Sequence, residues 1–248
     1  MQTQLYFWKP LIEVYQKDIA VIRDYHKRTM VVFNDIDKEA DKYANNLYEN
    51  FPGTEYTDPA SVAEWAQDRA IEKYETLSIM KSNHLLMTIS MLYHIWEQQL
   101  IKFTIHELQH YLKFDKRSVS FSDVQLIFRL HGVDIVKTYS WLKLRELKSL
   151  VNTIKHGDGE SANKLRKIRP DFFNLPNQLF SSKKADTLEL YGAVLLDQYS
   201  LNVSEDDLYI YIEAANKFWD EMPERAYSDT EILVEELRKQ RNMGIQGT

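Results

Sequence analysis

Apolar residues recur at three- and four-residue steps along most of this chain, and very little interrupts them. The 248 residues include seven glycines and six prolines, so few positions carry the residues that end helices. Long periodic runs with scarce breakers favour helices over a sheet. The predicted fold is all-α, a multi-helix bundle. The length allows one sizeable core. Three regions are expected to form one compact unit: amphipathic helices over 1–82, core helices over 83–180, and acidic helices over 181–248. No internal repeat, low-complexity segment or clear linker divides them.

From about Pro10 to Glu49 the pattern predicts one long amphipathic helix, with Leu11, Val14, Tyr15, Ile19, Ile22, Tyr25, Val32 and Ile36 on one side. Asn50-Phe51-Pro52-Gly53 ends it. Thr57-Asp58-Pro59 then supplies a cap and a first-turn proline, opening a helix to about Lys81. Asn83–Phe114 is the most apolar candidate, with one stripe through Leu85, Ile89, Leu92, Trp96 and Phe103 and a second through Ile101, Ile105, Leu108 and Leu112. Two apolar faces place it at the centre of the bundle. A shorter helix over Ser120–Gly132 is expected to be capped by Ser122. After Pro170 the chain reads as loop through Asn174, Pro176 and Asn177, with Ser181-Ser182-Lys183-Lys184 exposed. Leu188–Gln198 is ambiguous and admits short strand-like pieces. Ser204-Glu205-Asp206-Asp207 is a capping box for a helix closed by Pro223, and a last helix runs through Ile232, Leu233 and Leu237 to Arg241.

No cysteine is present, which excludes disulfides and thiolate zinc sites. MQTQLYFWKP lacks the basic and apolar regions of a signal peptide, and no apolar run approaches the roughly 20 residues that span a bilayer. A cytoplasmic protein without membrane attachment is the expectation. The net charge of −6 argues against nucleic-acid binding over the whole surface. Yet Trp141–Pro170 holds eight Lys or Arg against three acids, while Leu201–Arg238 holds eleven acids against three bases. Either the basic stretch is a local polyanion site, or the acidic region neutralises it.

The basic stretch begins with Trp141–His156, whose Leu144, Leu147, Val151 and Ile154 form a core face. Arg145, Ser149, Asn152 and His156 form a polar row on the opposite side. Gly157 stops this helix, and a second, basic helix follows until Pro170. Elsewhere His106-Glu107-Leu108-Gln109-His110 has the H-E-x-x-H spacing that can hold zinc beside a general base. A hydrolase needs a third ligand, and the downstream candidates His131 and Glu146 follow no recognisable spacing. The alternative is that His106 and His110 line an interior or subunit contact.

Val151-Asn152-Thr153-Ile154-Lys155-His156-Gly157 resembles the R-N-x-x-x-H signature of the HEPN superfamily (higher eukaryotes and prokaryotes nucleotide-binding). The run KHGDGESANKLRKIRPDFF, with the earlier HIWEQQLIKF, resembles an uncharacterised group of bacterial helical proteins sharing a KHG-x-G-x-S-A core. The resemblance implies a HEPN-like bundle of a bacterial toxin or antiviral (antiphage) defence type. It also implies a homodimer, RNA as ligand and metal-independent ribonuclease chemistry without a cofactor. A protein partner in such a system is a further implication. His156 would move the proton, Asn152 would orient it, and Arg145 would hold the phosphate. Lys155, Lys164, Arg166 and Arg169 would bind the nucleic acid. At the family arginine this chain has Val151. Arg145 lies eleven residues from His156, about 16 Å along a helix, so it could approach only the His156 of another chain. A non-catalytic interaction or regulatory subunit is the alternative, and a zinc hydrolase through His106, Glu107 and His110 is the third reading.

Overall fold

A computed structural model describes residues 1–114, 119–174, 186–197 and 199–245. The fold is all-α with one small sheet. The helices are α1 (Lys9–Met30), α2 (Ile36–Glu49), α3 (Pro59–Leu108), α4 (Phe121–Leu130), α5 (Trp141–His156), α6 (Glu160–Ile168), α7 (Thr187–Tyr191), α8 (Glu205–Asp220) and α9 (Thr230–Ile245). The strands are β1 (Gln2–Tyr6) and β2 (Arg225–Asp229). Among the described residues, no helix is long and apolar enough to cross a membrane.

Contacts gather the chain into two units, each built from separated segments: residues 1–23, 89–151 and 206–248 in the first, and 24–88 and 152–205 in the second. In the first unit, β1 and β2 pair antiparallel with Gln4 opposite Tyr227. Neither strand was expected. Thr3 and Leu5 of β1 are buried in alternation, the period of a half-buried strand. Aromatic side chains dominate the core beneath. Phe7 stacks on Phe103 with centroids 4.6 Å apart, and Trp96 meets Phe218 edge-on at 5.3 Å. The Trp219 indole N–H donates to Gln99 Oε1 at 3.2 Å, and Gln99 Nε2 donates to the Tyr15 carbonyl at 3.0 Å. The Trp219 indole is thereby satisfied, whereas the buried Trp96 indole N–H has no hydrogen-bond partner among the described residues. In α4 the cap is Ser120, not Ser122: the Asp123 N–H donates to Ser120 Oγ, and the Ser120 N–H donates to the Asp123 carboxylate. That reciprocal pair needs three-residue spacing, which Ser120 and Asp123 have.

The second unit corrects the helix expected over Pro10–Glu49. It breaks into α1, a 3₁₀ turn at Val31–Phe33, and α2. No glycine or proline marks the break. Two β-branched valines, weaker helix formers, occupy the break. Phe33 turns inward to pack with Met30, Ile36 and Leu77. The expected gap near Ser82 is absent, and α3 runs unbroken for 50 residues. Its start is as read: Asp58 accepts from the Ala60 and Ser61 N–H groups at 3.2 Å, with Pro59 in the first turn. Leu188–Gln198 forms no strand among its described residues. It begins inside the short helix α7, which a left-handed Gly192 (φ +74°) terminates. Pro176, Asn177, Ser181–Lys184 and Gln198 lie outside the described residues.

Also in this unit, the His26 and His84 rings stack 5.7 Å apart, nearly parallel at 11°. His26 is wholly buried, with the Glu205 carboxylate 3.7 Å from its Nε2, while His84 Nε2 meets the Thr29 hydroxyl at 2.7 Å. Burial lowers the pKa of both histidines. For His26, Glu205 opposes that shift and His84 adds to it. The unfolded chain, with histidines near 6.5, then binds these protons more readily than the folded one. The pair's contribution to stability is complete above about pH 6.5 and is lost as the pH falls from there through the lowered folded values. Thermal melts from pH 7.5 to 5.5, above most of the carboxylate range, are expected to show a falling Tm, and His84→Gln is expected to flatten that slope. A Tm that stays level across this window contradicts the assignment.

Candidate functional site

The last turn of α5 delivers the candidate residues of the second unit. Its sequence favours a sharp end: Gly157 has φ +69°, and its N–H donates to the Thr153 carbonyl at 2.8 Å, a left-handed helix stop that glycine adopts without strain. The core face is as read, with Leu144, Leu147, Val151 and Ile154 all buried. Val151 is 2% exposed. Asn152 is half-buried, and Lys155 and His156 are exposed. The Lys155 and His156 side chains have no hydrogen bond or ion pair with a described residue. Positive charge at this helix end is also favoured by the carbonyl end of the helix dipole. Arg145 belongs to the other unit, where its side chain is exposed and likewise unpaired among the described residues.

The basic residues after Gly157 are arranged differently from a phosphate cradle. Arg166 of α6 donates from Nε to Asp186 at 2.6 Å and from Nη1 to Asp158 at 2.7 Å and Asn163 at 2.9 Å. Its Nη2 donates to Asp158 at 3.1 Å and to Asp186 at 3.3 Å. A guanidinium has five N–H donors, and here each has an acceptor. The group also lies over the Phe173 ring, 4.9 Å from its centroid. The two carboxylates raise the pKa of Arg166 further above its ordinary range. Burial pushes Asp186 up, but the Arg166 hydrogen bond and the Glu189 and Leu188 N–H groups outweigh it and hold the carboxyl below its usual value. Arg166 therefore ties the turn after His156, through Asp158, to the start of α7, where Asp186 caps the Glu189 N–H. Arg169 pairs with Asp171 at 2.7 Å and lies 3.8 Å from the Phe172 centroid. Lys164 is exposed and paired with Glu160 one turn earlier at 2.7 Å.

Of the expected nucleic-acid contacts, Lys155 alone therefore presents a charge without a partner among the described residues. Asp158, Asn163 and Asp186 are the residues that sequence reasoning missed. The local sign was an acid inside KHGDGE, adjacent to the basic run. Asp186 offered none, being twenty residues from Arg166.

In the first unit, the H-E-x-x-H stretch closes α3. The Tyr6 N–H donates to Glu107 Oε2 at 2.9 Å, and His106 Nδ1 lies 3.0 Å from Oε1. Both oxygens of Glu107 are thus engaged, and Glu107 is largely buried. His106 and His110 are exposed, so they do not line an interior. The candidate third ligands are buried and bonded elsewhere: His131 Nδ1 with the Ile127 carbonyl and Nε2 with the Thr3 hydroxyl, and Glu146 with Lys143 and the Tyr211 hydroxyl. No protein-family model, curated protein or solved structure matches the chain.

Proposed function

We propose that this chain is a HEPN-like, non-catalytic binding module that engages a protein partner through the exposed end of α5. The observation that carries the reading is the complete use of Arg166. A ribonuclease site of the kind the resemblance implies needs a guanidinium next to the histidine, free to hold phosphate bidentately as charge develops on it. The residue at the family arginine is a buried valine, and the strongest cation behind the His156 turn spends all its donors on Asp158, Asp186 and Asn163. Arg169 and Lys164 are paired with their own acids. The arrangement suits a rigid turn that presents the Lys155 ammonium beside the His156 imidazole as a small polar contact. Partner acids there would gain a charge-assisted hydrogen bond without disturbing the core.

A second reading keeps RNA cleavage, carried by the unpaired, exposed side chains of Arg145 and His156. It requires a homodimer that brings the Arg145 of one chain to the His156 of the other. RNA integrity in cells expressing wild type or His156→Ala separates the two. The module predicts intact RNA in both, whereas decay in wild type that His156→Ala abolishes supports the nuclease.

A further inference from the structure

We infer that the cleft between the end of α3, α4 and α9, within the first unit, binds a medium-chain fatty acid. Its alkyl chain would fill the cleft and its carboxylate would meet Lys113 and Arg238. Residues three or four apart share a helix face, and such sets build two of the walls. Leu108 closes α3, and its carbonyl accepts from the Leu112 N–H at 2.9 Å, so the helical turn continues and both side chains line the cleft. Val234 and Leu237 of α9 form another wall, and Ile127 of α4 adds to the floor, where it is 1% exposed. The cleft encloses about 290 Å³, close to the lower end of the range of small-molecule sites, about 300 Å³. Its apolar walls are mostly branched aliphatic side chains, which favour an alkyl occupant.

The polar side chains of the lining, Lys113, Asp123 and Arg238, set the direction of the ligand. Asp123 is buried, with one carboxylate oxygen accepting from the Ser120 N–H at 2.8 Å and the other from Gln240 Nε2 at 3.2 Å. A negative charge in the wall disfavours an anionic head group deep in the cleft. Lys113 and Arg238 are exposed, and neither side chain has a hydrogen bond or ion pair with a described residue. On the same helix Lys239 is paired with both Glu235 and Glu236, so the lack of a partner is particular to the cation that borders the cleft. A carboxylate at the mouth would accept a forked pair of hydrogen bonds from Arg238 and another from Lys113. The chain below it would leave water for apolar surroundings. This inference concerns the first unit and does not depend on the proposed role of His156.

Calorimetric titration of the full-length protein with sodium hexanoate, sodium octanoate and octan-1-ol tests it. Octanoate is expected to bind saturably at one equivalent. It should bind roughly 15-fold more tightly than hexanoate, from about fourfold for each of two buried methylenes. Lys113→Gln/Arg238→Gln is expected to weaken octanoate about tenfold and to leave octan-1-ol unchanged. Both changes are at exposed positions, so the Tm of this variant should match wild type. Val234→Phe, at a half-buried position in the wall, fills the cleft and is expected to abolish binding of both ligands. The inference is overturned if octanoate does not saturate, or if Val234→Phe binds it as tightly as wild type. It is equally overturned if the double glutamine variant keeps full affinity for octanoate, or weakens octanoate and octan-1-ol alike.

Discussion

Val151→Arg is expected to destabilise the protein by about 3–5 kcal/mol, the cost of an uncompensated charge in a core. For a chain of this length that lowers Tm by roughly 10 °C. Val151 is 2% exposed and is flanked along α5 by Leu147, Leu150 and Ile154, all buried. A guanidinium reaches water from such a place only by displacing packed side chains, unlike one at a helix end. Val151→Ile, which adds one methylene to the same site, is expected to cost about 1–3 kcal/mol. Chemical denaturation of the three proteins gives the difference directly. A Val151→Arg variant as stable as wild type would mean that this face of α5 is not core, and the case against an intrachain phosphate site would lose its first support.

Arg166→Ala is expected to cost about 2–3 kcal/mol. Removing one partner of a buried ion pair costs about 3–5 kcal/mol, but Arg166 and Asp186 are each 21% exposed and Asp158 is 39% exposed, so solvent screening reduces the loss. The variant leaves Asp158, Asp186 and Asn163 without their shared donor and frees the turn after His156 from the start of α7. Arg166→Lys keeps the charge but supplies three donors on a point-like group, and is expected to recover less than half of the loss. Limited proteolysis should locate the new cleavage between Gly157 and Asp186. Were Arg166 a ligand-binding residue with little structural role, the alanine variant would melt within about 0.5 kcal/mol of wild type.

The helix α5 was legible because independent cues agree there: a four-residue apolar stripe, basic residues in its last turn and a glycine where the chain must reverse. Asp58-Pro59 marked the start of α3 for the same reason. The break at Val31–Asp35 had no glycine or proline to announce it, since it follows from Phe33 packing against Met30, Ile36 and Leu77, a tertiary choice. The reverse happened near Ser82. Two helices were read, one to about Lys81 and one from Asn83, yet nothing breaks the backbone, and α3 contributes to one unit up to Thr88 and to the other from Ile89. β1 was illegible because its partner lies over two hundred residues away, and five residues of alternation carry little weight alone. The basic excess after Trp141 was real as composition and only in part as surface, where Arg145 and Lys155 stay exposed. Asp158, Asp186 and Asp171 neutralise Arg166 and Arg169 through contacts that only the folded chain creates.

The most direct test of the binding-module account is RNA cleavage by purified protein at concentrations high enough to favour any homodimer. End-labelled single-stranded and structured RNAs would be incubated with wild type and His156→Ala, and the products resolved at nucleotide resolution. The account predicts uncut RNA with both proteins over the full time course. Cleavage by wild type that scales with protein concentration and disappears in His156→Ala would contradict it, and would make His156 part of the cleaving site.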